Sequence, residues 1–196
     1  MTDSVERAPI IVTALFGRED QAFFDAERTA YFPPERNQLA AHLTIFHHLP
    51  PSLAPELRQR LTAETRGVPP PRARIADVMS LGRGVAYRID SDELGAIRAR
   101  LAAAFSGLLT PQDAGGWRAH VTVQNKVEPS VAKALLAELR ADFRPRPVEI
   151  AGLAAWWYRG GPWEMLSKHS SRVDRVGSAV IARASRALVP SENGAE

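Results

Sequence analysis

Two triplets in this sequence carry residue types suited to proton transfer: His42-Leu43-Thr44 within HLTIFHHL, and His120-Val121-Thr122 within HVTVQNKV. In an extended strand, side chains alternate between faces with a period of two. His42, Thr44 and Phe46 therefore share one face of the first segment, opposite Leu43, Ile45 and His47. His120, Thr122 and Gln124 share one face of the second, opposite Val121, Val123 and Asn125. Each segment presents an imidazole beside a hydroxyl, backed by an apolar face that can pack on helices. Imidazole takes or gives a proton near neutral pH, and the branched Cβ of threonine holds its hydroxyl in a fixed direction. Two imidazoles and two hydroxyls in one groove would supply a base, an acid and donors for charged phosphoryl oxygens. Displacement at a phosphodiester needs those parts and, with this set, no metal. With five histidines and eight threonines, composition alone gives about 0.2 His-x-Thr triplets. Finding two, each in an alternating run and 78 residues apart, points to function.

Other residues are candidates for the rim of such a groove. Phe46 can stack on a base or sit in the core. Gln124 shares the face of His120, as does Lys126 six positions on, which could meet phosphate or lie solvated at the strand end. Arg118 and Arg83 add a basic rim if they lie nearby. His48 follows the motif at the strand end, and His47, on the apolar face, reads as a hydrogen-bonded structural histidine. Adjacent histidines in a strand point apart and no carboxylate accompanies them, so no metal site is expected. Trp156, Trp157, Tyr158 and Trp163 cluster near the end of the patterned region, suited to the core with one available to line a groove.

The elements that must position these residues read as follows. Strands are expected over 9–16, 41–49, 118–127, and in hairpins 74–81/85–90 and 148–158/163–168. Helices are expected over 19–31, stopped by Pro33-Pro34; from Ser52 to about Thr65; from the 90–92 cap to about Phe105; and from Pro129 to about Asp142. Residues 110–116 read as a loop. The order strand, helix, strand, helix, strand occurs twice, each time with a His-x-Thr on its second strand. This is the pattern of an internal duplication with two α+β lobes, roughly 10–81 and 84–168, facing each other, strand exchange allowed. Residues 1–168 form one domain; 169–196 read as a helix with interleaved arginines and a disordered end.

Composition bounds the setting. The chain has 196 residues, no cysteine and a net charge of +3. Disulfides and thiolate metal sites are excluded, and the mildly basic balance favours anionic partners. No apolar run reaches the roughly 20 residues of a membrane span, and the polar N-terminus lacks the features of a signal peptide. A cytoplasmic protein is expected.

The segments AHLTIFHHLP and AHVTVQNKV resemble the two signature strands of the 2H phosphoesterases. They are most similar to the bacterial branch of 2′-5′ RNA ligases and RNA 2′,3′-cyclic phosphodiesterases, over roughly residues 10–168. The resemblance implies a bilobed, pseudo-twofold α+β fold, two antiparallel sheets facing a central groove with helices outside. It implies that His42 and His120 are the acid–base pair, His120 as base, and that Thr44 and Thr122 bind phosphate. Many members have proline before each motif histidine, where Ala41 and Ala119 stand here. The expected activity is opening of 2′,3′-cyclic phosphates at RNA or nucleotide ends, without metal or cofactor and with no protein partner evident. ATP-independent 2′-5′ RNA ligation at the same site and a non-catalytic RNA-end binding module are the alternatives.

Overall fold

A computed structural model describes residues 8–171. The apolar run at the start forms β1 (Ile10–Phe16), buried along almost its whole length and so covered on both faces. Helix α1 (Arg18–Tyr31) follows and stops at the diproline. Strand β2 (Leu43–Leu49) then leads through a 3₁₀ turn into α2 (Ala54–Thr65) and β3 (Arg72–Ser80). The second series is β4 (Val85–Asp90), α3 (Asp92–Ala104), α4 (Pro111–Ala114), β5 (His120–Gln124), α5 (Pro129–Ala141) and β6 (Arg146–Trp157), closed by β7 (Glu164–Ser170). The Ser91 hydroxyl caps α3 by accepting from the Leu94 amide at 3.1 Å.

Two expectations change here. Residues 110–116 are not simply a loop: the Thr110 side chain caps a single helical turn with Pro111 in its first positions. The lobes also do not form two separate sheets. The seven strands form one sheet in the order β1-β2-β5-β4-β3-β6-β7, and β1 pairs again with β6. Six strands therefore close into a barrel, with β7 appended to β6. Closure depends on the length of β6, whose first residues pair with β3 (Arg72↔Glu149, Ile75↔Arg146) while the rest pairs with β1 (Ile10↔Trp157, Phe16↔Ile150). Closing a sheet removes exposed edges. Exchanging β1 with β4, β2 with β5 and β3 with β6 maps the ring onto itself, so the topology has the two-fold of the repeated element order.

The core is one cluster around Phe24, Phe46, Leu57, Leu61, Leu101 and Phe105. Leu43, Ile45, Val121 and Val123, the apolar faces of the motif strands, are all fully buried in it. The tip of the β3–β4 hairpin lies so close to the end of β5 that a Cβ on Gly84 would stand 2.1 Å from the Gln124 carbonyl oxygen. There β5 ends, short of the expected residue 127, because Lys126 adopts φ 61 and the Val127 amide bonds to the Arg83 carbonyl at 3.1 Å. No helix among the described residues is long and apolar enough to cross a membrane. The helix and tail expected over 169–196 do not begin at 169, because His169 and Ser170 complete β7; residues 172–196 lie outside the described residues.

Candidate active site

Strands β2 and β5 are antiparallel neighbours that share one register pair, Leu43↔Val121. His42 and Thr44 flank Leu43 and His120 and Thr122 flank Val121, so on antiparallel strands each imidazole falls on the side of the other motif's hydroxyl. That places the two histidines diagonally across the pair. All four side chains line one cavity of about 170 Å³. The expectation of two histidines facing each other from separate sheets is corrected: they are side by side on adjacent strands of one closed sheet.

Both rings are held in the same way. His42 Nδ1 lies 2.8 Å from the Ala40 carbonyl oxygen and His120 Nδ1 lies 2.7 Å from that of Arg118. A carbonyl oxygen only accepts, so Nδ1 carries the proton in each ring and Nε2 is left for the cavity. Each bond goes to the residue two positions upstream, so the motif backbone sets its own histidine's tautomer. For His42 that backbone is fixed from α1: Asp25 accepts from the Ala41 amide at 2.6 Å and Gln21 donates to the Ala41 carbonyl at 2.9 Å.

The threonine positions are fixed from behind. Only one register pair joins β2 and β5, so buried carbonyls on either side of it need other partners. Trp117 Nε1 donates to the Thr44 carbonyl at 2.9 Å, and the buried Arg28 guanidinium donates to the Thr122 carbonyl at 2.9 Å. Arg98 donates to the Ile45 carbonyl at 3.3 Å. Sequence reasoning missed all three, because a lone arginine or tryptophan on a helix or loop carries no sign of the strand it supports.

The strict alternation expected for β2 breaks after Thr44. Thr13 pairs with Thr44 but Val12 with Phe46, so β2 holds one extra residue there, a β-bulge. Ile45 and Phe46 are consequently both fully buried. Phe46 is a core residue with the Arg98 guanidinium 5.2 Å from its ring centroid, not a groove residue. His47 is returned to the motif face and lines the same cavity, contrary to its expected place on the apolar face.

A profile of the 2′-5′ RNA ligase superfamily matches residues 16–162. The chain belongs to that superfamily. Both His-x-Thr motifs lie within the matched span, so the chain is a 2H phosphoesterase-type protein of this superfamily and its activity concerns phosphodiesters. Protein TT0787 of Thermus thermophilus has a similar fold, with TM-score 0.57 and 16% identity, covering 85% of this chain and 99% of its own. E. coli LigT, solved with 3′-AMP, aligns at TM-score 0.49 and 16% identity over 84% of this chain and 98% of its own. Among curated proteins none matches.

On the superfamily scaffold, Trp163 closes one side of the cavity. Its ring centroid is 4.6 Å from that of His42 and 6.3 Å from that of Trp156, whose Nε1 donates to the Thr13 hydroxyl at 2.9 Å. One of the clustered aromatics thus lines the site. Burial pushes the His42 imidazole below its ordinary pKa; its bond to the Ala40 carbonyl opposes this, and the charges of Arg28, His120 and His47 reinforce it. Among the described residues no aromatic ring packs on His120 as Trp163 packs on His42, so the site is asymmetric despite its symmetric motifs.

The remaining candidates lie outside this cavity. Gln124 is buried, and its Oε1 has no hydrogen-bond partner among the described residues. Lys126 is exposed on the bend after β5, and His48 is exposed at the end of β2. Arg83 bonds to the Val127 carbonyl and Glu128. Arg118 lines a separate, larger depression of about 670 Å³ with Arg72, Arg74 and Arg88. Three of those arginines pair with acids there, Arg72 with Glu93, Arg74 with Asp90 and Arg88 with Asp90, so their charge is largely compensated. Among the described residues, no group of three or more His, Cys, Asp or Glu is arranged to hold a metal ion.

Proposed function

We propose that this chain is a metal-independent phosphodiesterase that opens 2′,3′-cyclic phosphates at RNA or nucleotide ends. The observation that carries the reading is the cavity shared by the two motifs, with each Nδ1 held by a backbone carbonyl and neither Nε2 hydrogen-bonded among the described residues. In-line displacement puts the attacking and departing oxygens on opposite sides of phosphorus, and two diagonal imidazoles suit that need. In the order implied by the family resemblance, His120 Nε2 takes a proton as water bonds to phosphorus. The bond to O3′ breaks and O3′ takes a proton from His42 Nε2, leaving a 2′-phosphate. Thr44 and Thr122 donate to the non-bridging oxygens.

Size supports recognition of an end. About 170 Å³ is small beside the roughly 300–1,000 Å³ of ordinary ligand pockets. It suits the cyclic phosphate with part of its ribose, the base and any further chain lying outside. The cytoplasmic setting expected from the cysteine-free composition belongs to the same reading. The superfamily match also favours a second reaction at this site: a 5′-hydroxyl replaces water and a 2′-5′ bond forms.

One incubation separates the readings. An oligonucleotide with a 2′,3′-cyclic phosphate is mixed with the protein and a 5′-hydroxyl oligonucleotide. The proposal expects the cyclic end to become a 2′-phosphate. A joined product assigns ligation, and unchanged RNA retained on the protein assigns a binding module.

A further inference from the structure

The bulge that buries Phe46 brings a third histidine to the site. His47 lines the cavity with His42 and His120, close enough that its charge opposes a charge on His42. Its Nδ1 lies 3.0 Å from a carboxylate oxygen of Asp113. Asp113 is buried in α4, and its carboxylate also accepts from the backbone amides of His47, at 2.9 Å and 3.1 Å, and His48, at 2.8 Å. Burial alone would raise the pKa of this acid; the bonds from the His47 ring and the two amides outweigh it and hold the carboxyl below its ordinary value. An ionised carboxylate only accepts, so the His47 ring donates through Nδ1 and presents Nε2.

The amide bonds alone would explain Asp113 as a cap on the free edge of the bulged strand. They do not explain the ring contact, which turns an imidazole toward the cavity whose Nε2 has no hydrogen-bond partner among the described residues. Among the described residues, the cavity lining has no lysine or arginine. With one motif histidine neutral as base and the other spending its proton as acid, the lining residues described offer a phosphodiester anion no lasting positive group apart from His47; the Arg28 charge is felt at His42, but its guanidinium is buried on the Thr122 carbonyl. Donation from both ring nitrogens uses the imidazolium form, whose charge faces the Asp113 carboxylate 3.0 Å away, and the reaction as written draws no proton from it.

We propose that His47, oriented by Asp113, is a third substrate-contacting histidine, donating from Nε2 to one non-bridging oxygen of the scissile phosphate. The proposal rests on the phosphodiesterase reading of the site. Sequence alternation hid it, since a strand without the bulge would send His47 to the opposite face.

The test is stereochemical. His47→Gln is assayed on a nucleoside 2′,3′-cyclic phosphate and on the two diastereomers of its phosphorothioate, in which sulfur replaces one or the other non-bridging oxygen. The side chain is 40% exposed, so this variant should fold, and its Tm checks that. Loss of a charge-assisted hydrogen bond is expected to lower kcat/KM roughly tenfold to a hundredfold on the oxygen substrate. The loss should be much smaller on the diastereomer whose sulfur occupies the contacted position. Asp113→Asn should give the same selective pattern in weaker form. A loss equal on all three substrates, or kcat/KM within twofold of wild type, overturns the proposal. If the wild-type protein opens no cyclic phosphate, the phosphodiesterase reading fails. Titration with adenosine 2′-monophosphate then decides the role of His47: binding at least tenfold weaker in His47→Gln supports it, and unchanged binding overturns it.

Discussion

Replacing Trp117 with phenylalanine tests whether the motif threonines are positioned from behind. The change keeps an aromatic ring near Arg98, whose guanidinium lies 5.7 Å from the Trp117 centroid, and removes the bond of 2.9 Å from Nε1 to the Thr44 carbonyl. Leaving a part-buried carbonyl unpaired costs roughly 1–3 kcal/mol. For a domain of this size each kcal/mol lowers Tm by roughly 2–4 °C, so a fall of roughly 2–12 °C is expected in a thermal melt. The same change frees the backbone of Thr44, and a displacement of about 1 Å in a positioned group can cost up to about a hundredfold in rate. A fall of about tenfold in kcat on a cyclic phosphate is therefore expected, with a smaller change in KM. In a Thr44→Val background, Trp117→Phe should lower Tm as before yet leave the remaining rate unchanged, since the hydroxyl it positions is gone. An unaltered Tm and kcat in Trp117→Phe, or a full additional rate loss in the double variant, would refute the positioning argument.

His42→Ala and His120→Ala should each lose roughly 10² to 10⁴-fold in rate, the worth of one proton transfer. On a nitrophenyl ester, whose leaving group hardly needs an acid, His42→Ala should recover much of its rate and His120→Ala should not; recovery in His120→Ala alone would reverse the roles. The depressed pKa of His42 sets the pH dependence. As acid, His42 must be protonated, so kcat/KM should fall as pH rises through a value below the ordinary histidine value of about 6.5. Trp163→Ala admits water to the ring and should move that alkaline limb upward, toward 6.5; movement of the acid limb instead would make His42 the base, and movement of neither would remove burial by Trp163 as the cause.

Much of the site was legible because its signal is local. A histidine and a threonine two apart in an alternating strand share a face whatever the rest of the chain does, and Leu43, Ile45, Val121 and Val123 are buried behind them as the pattern requires. The helix stops and caps at Pro33-Pro34, Ser91 and Pro129 were equally local. The pairing of β6 with both β3 and β1 was not legible, since nothing within a strand names its partners. One inserted residue after Thr44 exchanged the places of Phe46 and His47, because a period of two reverses at each bulge. The Thr-Pro-x-Asp sequence at 110–113 did carry a cap signal for α4, but the contact from Asp113 to His47 spans 66 positions and becomes visible only in the folded chain.

The most direct test is single turnover of a nucleoside 2′,3′-cyclic phosphate in excess EDTA, followed by ³¹P NMR. Wild-type protein is expected to convert the cyclic resonance to that of a 2′-monophosphate at a rate that chelation does not change, and the variant lacking both His42 and His120 is expected to leave it intact. A cyclic phosphate untouched by the wild-type protein, or opened just as fast by the double variant, would contradict the account. So would activity that EDTA abolishes and a divalent ion restores.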